Sequence, residues 1–196
     1  MPKRISKAAL AAMVQQYEAV SAVGTSAVRG QPRGTADAVR TFLGETMTLS
    51  DVPRRNRALF DKWLNNQTRR IQRRLPNPDR PWGIARKTLN LFLRSCFYNR
   101  LLCERYGLEK VGPWLEVPLD SVVAKGLRRH ARKHDKPKAL PKWLGLGGLT
   151  PAASRAFQEY ALEYADSLGL PARVFLDNYL WLRGRGSLPD ALDMDS

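Results

Sequence analysis

The sequence predicts an all-α fold, and three observations carry that expectation. Several long windows place apolar residues at i, i+3, i+4 and i+7, the spacing of one helix face. Strand-like alternation is nearly absent, and no internal repeat of solenoid length is present. Breaks rich in Pro and Gly separate the periodic windows, at GQPRG (30–34), LPNPDRPWG (75–83), VGPWLEVP (111–118) and KPKALPKWLGLGG (136–148). In order, the expected helices run over Ser6–Ala22, Thr35–Gly44, Pro53–Arg74, Ala85–Tyr106, Ser121–His134, Pro151–Leu168 and Ala172–Arg183. The chain is long enough to bury one substantial core, so a single helical domain over 1–184 is expected, with two small lobes around a cleft as its shape. The last residues, 185–196, are acidic and polar after a Gly-rich turn and read as a mobile tail.

Charge narrows the partner. With 33 Lys plus Arg against 18 Asp plus Glu, the formal charge is +15, which fits a polyanion. Membrane surfaces are anionic too, but no apolar run approaches the roughly 20 residues of a spanning helix, and the mean hydropathy is −0.41. The N-terminal apolar stretch is interrupted by Gln15, Gln16 and Glu18, unlike an export signal. The expectation is an intracellular, nucleoid-associated protein that binds double-stranded DNA, without a membrane partner and as a monomer. The basic residues concentrate in Asp51–Arg105, including Arg69, Arg70, Arg73 and Arg74, and in Lys125–Lys142. Like charges at i and i+4 repel on an isolated helix, so such a run is expected to meet an anion, although a plainly solvated face is the alternative.

Only Cys96 and Cys103 occur, seven residues apart in a helical pattern. That spacing puts them on one face about 10 Å apart, too far for a disulfide, and two cysteines cannot hold zinc. His130 and His134 lie at i and i+4 but no nearby carboxylate or cysteine completes a ligand set, so neither metal nor cofactor is expected.

The segment most informative about chemistry is Pro81-Trp82-Gly83-Ile84-Ala85-Arg86-Lys87-Thr88-Leu89-Asn90-Leu91-Phe92-Leu93-Arg94. A tight turn leads into a helix whose Leu89, Phe92, Leu93, Cys96 and Phe97 form an apolar stripe, with Lys87, Asn90 and Arg94 on a neighbouring polar face. Such a turn points backbone N–H groups outward, which suits a DNA phosphate. Gly83-Ile84, Lys87 and Phe92-Leu93-Arg94 together resemble the hairpin signature of the helix-hairpin-helix 8-oxoguanine DNA glycosylases. Leu115-Glu116-Val117-Pro118-Leu119-Asp120-Ser121 is similar to the segment carrying that superfamily's catalytic aspartate. Leu149-Thr150-Pro151 through Leu176-Asp177-Asn178-Tyr179-Leu180-Trp181 is similar to its late helix pair. The three matches, in the family's order, span roughly Pro81 to Gly184. Three features depart from the pattern. Ala85 stands where the hairpin's second glycine is expected, Leu89 stands where a small residue follows the lysine, and the 33 residues from Lys87 to Asp120 exceed the family's interval, so the segment from about Phe97 to Leu115 reads as an insertion.

The resemblance implies a helix-hairpin-helix glycosylase fold with the hairpin near 75–95, and a base-excising activity in which Lys87 attacks the sugar C1′ of a flipped nucleotide while Asp120 stabilises the developing cation. Lyase activity through a Schiff base would follow. Oxidised guanine is the implied base, and bulky modified bases of viral DNA, removed in a defence role, are the other class open. The residues themselves are compatible. Arg86 and Arg94 lie close enough on a helix to disfavour a protonated Lys87. Asp120 is placed to cap the helix that follows it. Other readings remain: Lys87 as a phosphate contact, Asp120 as a cap alone, and the whole chain as a non-catalytic DNA-binding protein. Phosphate and groove contacts are expected from Arg80, Trp82, Gly83, Ala85, Arg86, Arg94, Lys125 and Arg128. Trp143, Asn90 and Asp177 are expected near a base pocket, Asp177 chiefly as a structural residue, with Trp82 a further stacking candidate. Asn77 and Arg80 are placed to fill the gap left by a flipped base, and Trp63, Trp114 and Trp181 are expected in the core.

Overall fold

A computed structural model describes residues 4–136 and 140–188. Residues 189–196, most of the expected acidic tail, and 137–139 of the expected loop lie outside the described residues. Among the described residues the chain is all-helical, with eight α-helices and no strand. None of these helices is long and apolar enough to cross a membrane. The chain divides into two compact units, Met1–Leu115 and Glu116–Ser196.

The first unit holds α1 (Lys7–Ala22), α2 (Thr35–Thr41), α3 (Arg57–Gln72), α4 (Trp82–Tyr98) and α5 (Arg100–Tyr106). Its core is the apolar face of α4, with Ile84, Ala85, Leu89, Phe92, Leu93 and Cys96, set against Phe60, Leu64 and Ile71 of α3 and the small residues Ala11 and Ala19 of α1. α2 runs directly into a widened π-type turn over Phe42–Thr46. The buried Gln15 of α1 donates from Nε2 to the carbonyls of Leu43 (2.8 Å) and Met47 (2.7 Å), supplying partners for that turn. Gly44 packs closely there, since a Cβ would stand 3.2 Å from the Gln16 Cα, a tight contact.

Two expected helices are redrawn. The stretch expected as one helix over Ala85–Tyr106 begins earlier, at Trp82, and breaks at Asn99. Asn99 is extended (φ −78°, ψ 109°) and its side chain accepts from Leu102 N–H (3.2 Å), so it caps α5. Its Nδ2 donates to Glu18 (2.8 Å) and Ser95 Oγ also bonds Glu18, which fixes the break against α1. The two cysteines therefore sit on successive helices, both as free thiols, Cys96 buried and Cys103 half-buried. Burial pushes both thiols above the ordinary cysteine range. The helix expected from Pro53 starts at Arg57, because Asn56 accepts from Leu59 N–H (3.1 Å) and caps it.

The second unit holds α6 (Ser121–Lys133), α7 (Pro151–Ser167) and α8 (Leu176–Gly184). Val123, Ala124, Leu127 and Ala131 of α6 face α7 and α8, where Phe157, Tyr160, Tyr164, Leu176, Tyr179 and Leu180 are buried. α6 and α8 approach closely at Gly126, where a Cβ would meet Leu180 Cδ2 at 2.7 Å. Trp181, expected in this core, is instead 46% exposed with the Arg185 guanidinium 4.1 Å from its ring centroid. The helical stripe of α8 is filled by Leu176, Tyr179 and Leu180, which turns position 181 outward.

Candidate functional site

In the first unit, α3 and α4 pack together and are joined by residues 73–81. The turn is internally fastened: Arg80 N–H donates to Asn77 O (3.1 Å) and Gln72 Nε2 donates to Arg80 O (2.7 Å). Arg80 takes φ +40°, a backbone conformation that costs a non-glycine residue free energy and is kept only where neighbours enforce it. Its side chain is exposed, as a phosphate contact requires. Asn77 does not project as a free wedge, for its Nδ2 donates to Gln31 Oε1 (3.0 Å) and it is half-buried.

The expected polar face of α4 is largely buried. Lys87 is 8% exposed and Asn90 3%, while Arg94 is half-buried. The three share one side of α4 at i, i+3 and i+7. Arg86 points into the unit, donating to Thr68 Oγ1 (2.8 Å) and Asn65 Oδ1 (2.9 Å) and lying 5.2 Å from the ring of the half-buried Trp82. Thr68 Oγ1 in turn donates to Leu64 O (2.8 Å). Arg86 thus clasps α4 to α3 and is no surface contact. Ala85 is fully buried and Gly83 buried, so neither presents the expected groove contact. The reason is periodicity: Gly83 and Ala85–Arg86 lie inside α4 rather than in the turn before it.

In the second unit, Asp120 is half-buried and extended (φ −142°, ψ −170°), and its Oδ1 accepts from Val122 N–H (2.9 Å) and Val123 N–H (3.0 Å). It is the N-cap expected from the sequence. The strand-like approach to it is held by the buried Gln158 of α7, whose Oε1 accepts from Val117 N–H (3.0 Å) and whose Nε2 donates to Val117 O (2.8 Å). Lys125 is exposed on α6, whereas Arg128 is half-buried and donates to Pro141 O, tying down the loop that carries Trp143. Trp143 is half-buried and edge-on to Phe157, with centroids 5.7 Å apart. Asp177 is half-buried in the first turn of α8. His130 is engaged by aromatic groups: its ring stacks on Tyr164 (3.5 Å) and its Nδ1 lies 2.9 Å from Tyr160 OH. Among the described residues no three His, Cys, Asp or Glu gather as a metal site. Lys87 belongs to the first unit and Asp120 to the second.

Residues the sequence reading passed over lie in the 24–34 loop. Val28-Arg29-Gly30-Gln31 and Pro32-Arg33-Gly34-Thr35 are consecutive four-residue turns, closed by Gln31 N–H to Val28 O (3.0 Å) and Thr35 N–H to Pro32 O (3.2 Å). The glycine at the third place of each has φ +77° or +87°, as a type II turn demands. The repeated Arg-Gly pair was the available signal. Comparison of the chain with protein-family models, with curated proteins and with solved structures finds no match.

Proposed function

We propose that the chain is a DNA base-excision enzyme of the helix-hairpin-helix glycosylase class, with Lys87 as amine nucleophile and Asp120 as the assisting carboxylate. The observation that carries this reading is the burial of Lys87, 8% exposed on the second turn of the helix that follows a basic turn. A lysine serving only as a phosphate contact keeps its ammonium in water, whereas Lys87 is buried and engaged within the fold. The ordered sequence resemblance and the net charge of +15 support the same partner.

In the proposed reaction the Lys87 Nζ lone pair forms a bond to C1′ of a flipped nucleotide while the bond from C1′ to the base breaks. The base departs with that electron pair and gains a proton. The positive charge developing on the sugar and the proton released by the amine call for a carboxylate, the role the sequence resemblance assigns to Asp120. Ring opening leaves an imine to Lys87, from which β-elimination nicks the strand. Oxidised guanine and bulky hypermodified bases are the two substrate classes.

Incubation with duplexes carrying oxidised, alkylated, deaminated and glucosylated bases, followed by mass spectrometry of released base and borohydride trapping, tests the reading. Release of one class of base, with a covalent adduct lost in Lys87→Gln, is expected. An adduct that survives Lys87→Gln, together with full activity of Asp120→Asn, refutes it. A second reading, a non-catalytic DNA-binding protein, is favoured by the exposed Arg69, Arg73, Lys125, Arg129 and Arg132. It predicts salt-sensitive binding with no base released from any duplex.

A further inference from the structure

We infer that the tandem Arg-Gly turns at 28–35 form a second phosphate-contacting surface, joined to the 73–81 turn and gripping the backbone of duplex DNA. The inference rests on the DNA-binding half of the proposed function and not on its chemistry.

Arg29 and Arg33 occupy the same place in successive turns, the second residue, where a side chain stands at the outer corner. Both are exposed. The loop is fastened before any ligand arrives: Thr35 Oγ1 adds a bond to Pro32 O (2.7 Å), and Ala27 N–H reaches Gly24 O (3.0 Å). Neither Gly30 nor Gly34 has a neighbour within 4 Å of a built Cβ, so the glycines serve the positive φ of the turns and not close packing. Preformed turns lower the ordering cost of presenting two guanidinium groups.

The hydrogen bond from Asn77 Nδ2 to Gln31 Oε1 brings this loop to the 73–81 turn across 46 residues of sequence. Arg29 and Arg33 flank Gln31 by two residues on each side, and Arg74 and Arg80 flank Asn77 by three. Arg73 is exposed beside them, and the Arg74 guanidinium lies 4.8 Å from the centroid of Phe42, in the segment that follows the loop. The two segments contribute five arginines and one carboxylate, Asp79. So many like charges in adjoining turns repel one another unless an anion of high charge density lies over them. Duplex DNA, with about one negative charge per 1.7 Å of axis, supplies that density. Arginine suits the contact because its planar fork pairs two phosphate oxygens at once.

The test measures binding of the full chain to an unmodified 20-base-pair duplex as salt is raised, a readout independent of base release. Each phosphate contact contributes about 0.9 to the slope of log Kd against log salt. Arg29→Gln/Arg33→Gln is expected to lower that slope by about 1.8, whereas Arg29→Lys/Arg33→Lys keeps it. Arg4→Gln/Lys7→Gln removes the same net charge from the exposed start of the first unit and is expected to leave the slope nearly unchanged. Equal losses in the two glutamine pairs, an unchanged slope in Arg29→Gln/Arg33→Gln, or no salt-dependent binding by the natural chain would overturn the inference. An unchanged slope with intact base release removes this surface alone. The expected slope loss without base release from any duplex removes the catalytic reading alone.

Discussion

Two helix starts in this molecule are built on opposite plans. α6 begins at Asp120, whose carboxylate takes two backbone N–H groups, so its first turn is satisfied by a side chain. α4 begins at Pro81, and no side chain caps it among the described residues. Its position is fixed from the flank instead, by Arg86 reaching Thr68 and Asn65 on α3. The difference teaches how each proposed reactive residue must be tested. Lys87 is buried on α4 and engaged within the fold, so its removal is read against the fold as well as the chemistry. Asp120 already performs structural work, so its removal reads structure and chemistry together unless the cap is preserved.

The sharpest way to break this contrast is Lys87→Gln, expected to lower single-turnover base release by about 10³-fold or more, with circular dichroism as the check that the fold is kept. Asp120→Asn keeps an effective cap and is expected to lose about 10²-fold in the same assay with little change in melting temperature. Full activity in Asp120→Asn would reduce Asp120 to a cap. Arg86→Met, which leaves Thr68 and Asn65 without their charged donor, is expected to destabilise the chain by about 2 kcal/mol in urea unfolding. Asp120→Ala adds a smaller loss to its activity defect, about 1 kcal/mol, as a missing N-cap costs.

Two further changes carry smaller effects. Burial, and then the hydroxyl of Tyr179, push the Tyr164 phenol above its ordinary value of 10.0. The fold therefore favours the neutral phenol. Its contribution to stability is complete below pH 10 and is lost as pH rises through the raised folded value. Thermal melting above pH 10 is expected to decline less steeply in Tyr164→Phe than in the natural chain. Finally, Arg80→Gly relieves a positive φ at the cost of unfolded-state entropy, for a net gain of about 0.5 kcal/mol. The same substitution is expected to weaken DNA binding, as a phosphate contact would.

Helix existence was legible because apolar periodicity reports a buried face directly, and Asp120 was legible as a cap because the bond is local, two and three residues ahead. The break at Asn99 was hidden because the apolar run continues on both sides, through Leu93 and Cys96 to Leu102. What makes it a break is Glu18, far off in sequence. Arg86 reads as surface from the sequence for a related reason: a long side chain on a basic helix looks like surface until a partner such as Thr68 is known. The Gln31 to Asn77 bond, which gives the 24–34 loop its place, joins two segments that each read only as turns.

The paired bonds between Gln158 and Val117 have a consequence for how the second unit could change over generations. An amide that both gives to and takes from one residue imitates a neighbouring β-strand, so the short path into Asp120 is docked on α7 as an edge would be. Arg173 secures the other side of that docking by donating to the Gln158 carbonyl (3.2 Å). The bearing of the carboxylate is thus inherited from an interior position of α7, 38 residues downstream. Exchanging Gln158 for Glu would set a carboxylate oxygen against the Val117 carbonyl and swing the approach outward, shifting Asp120 without touching any residue of its own helix.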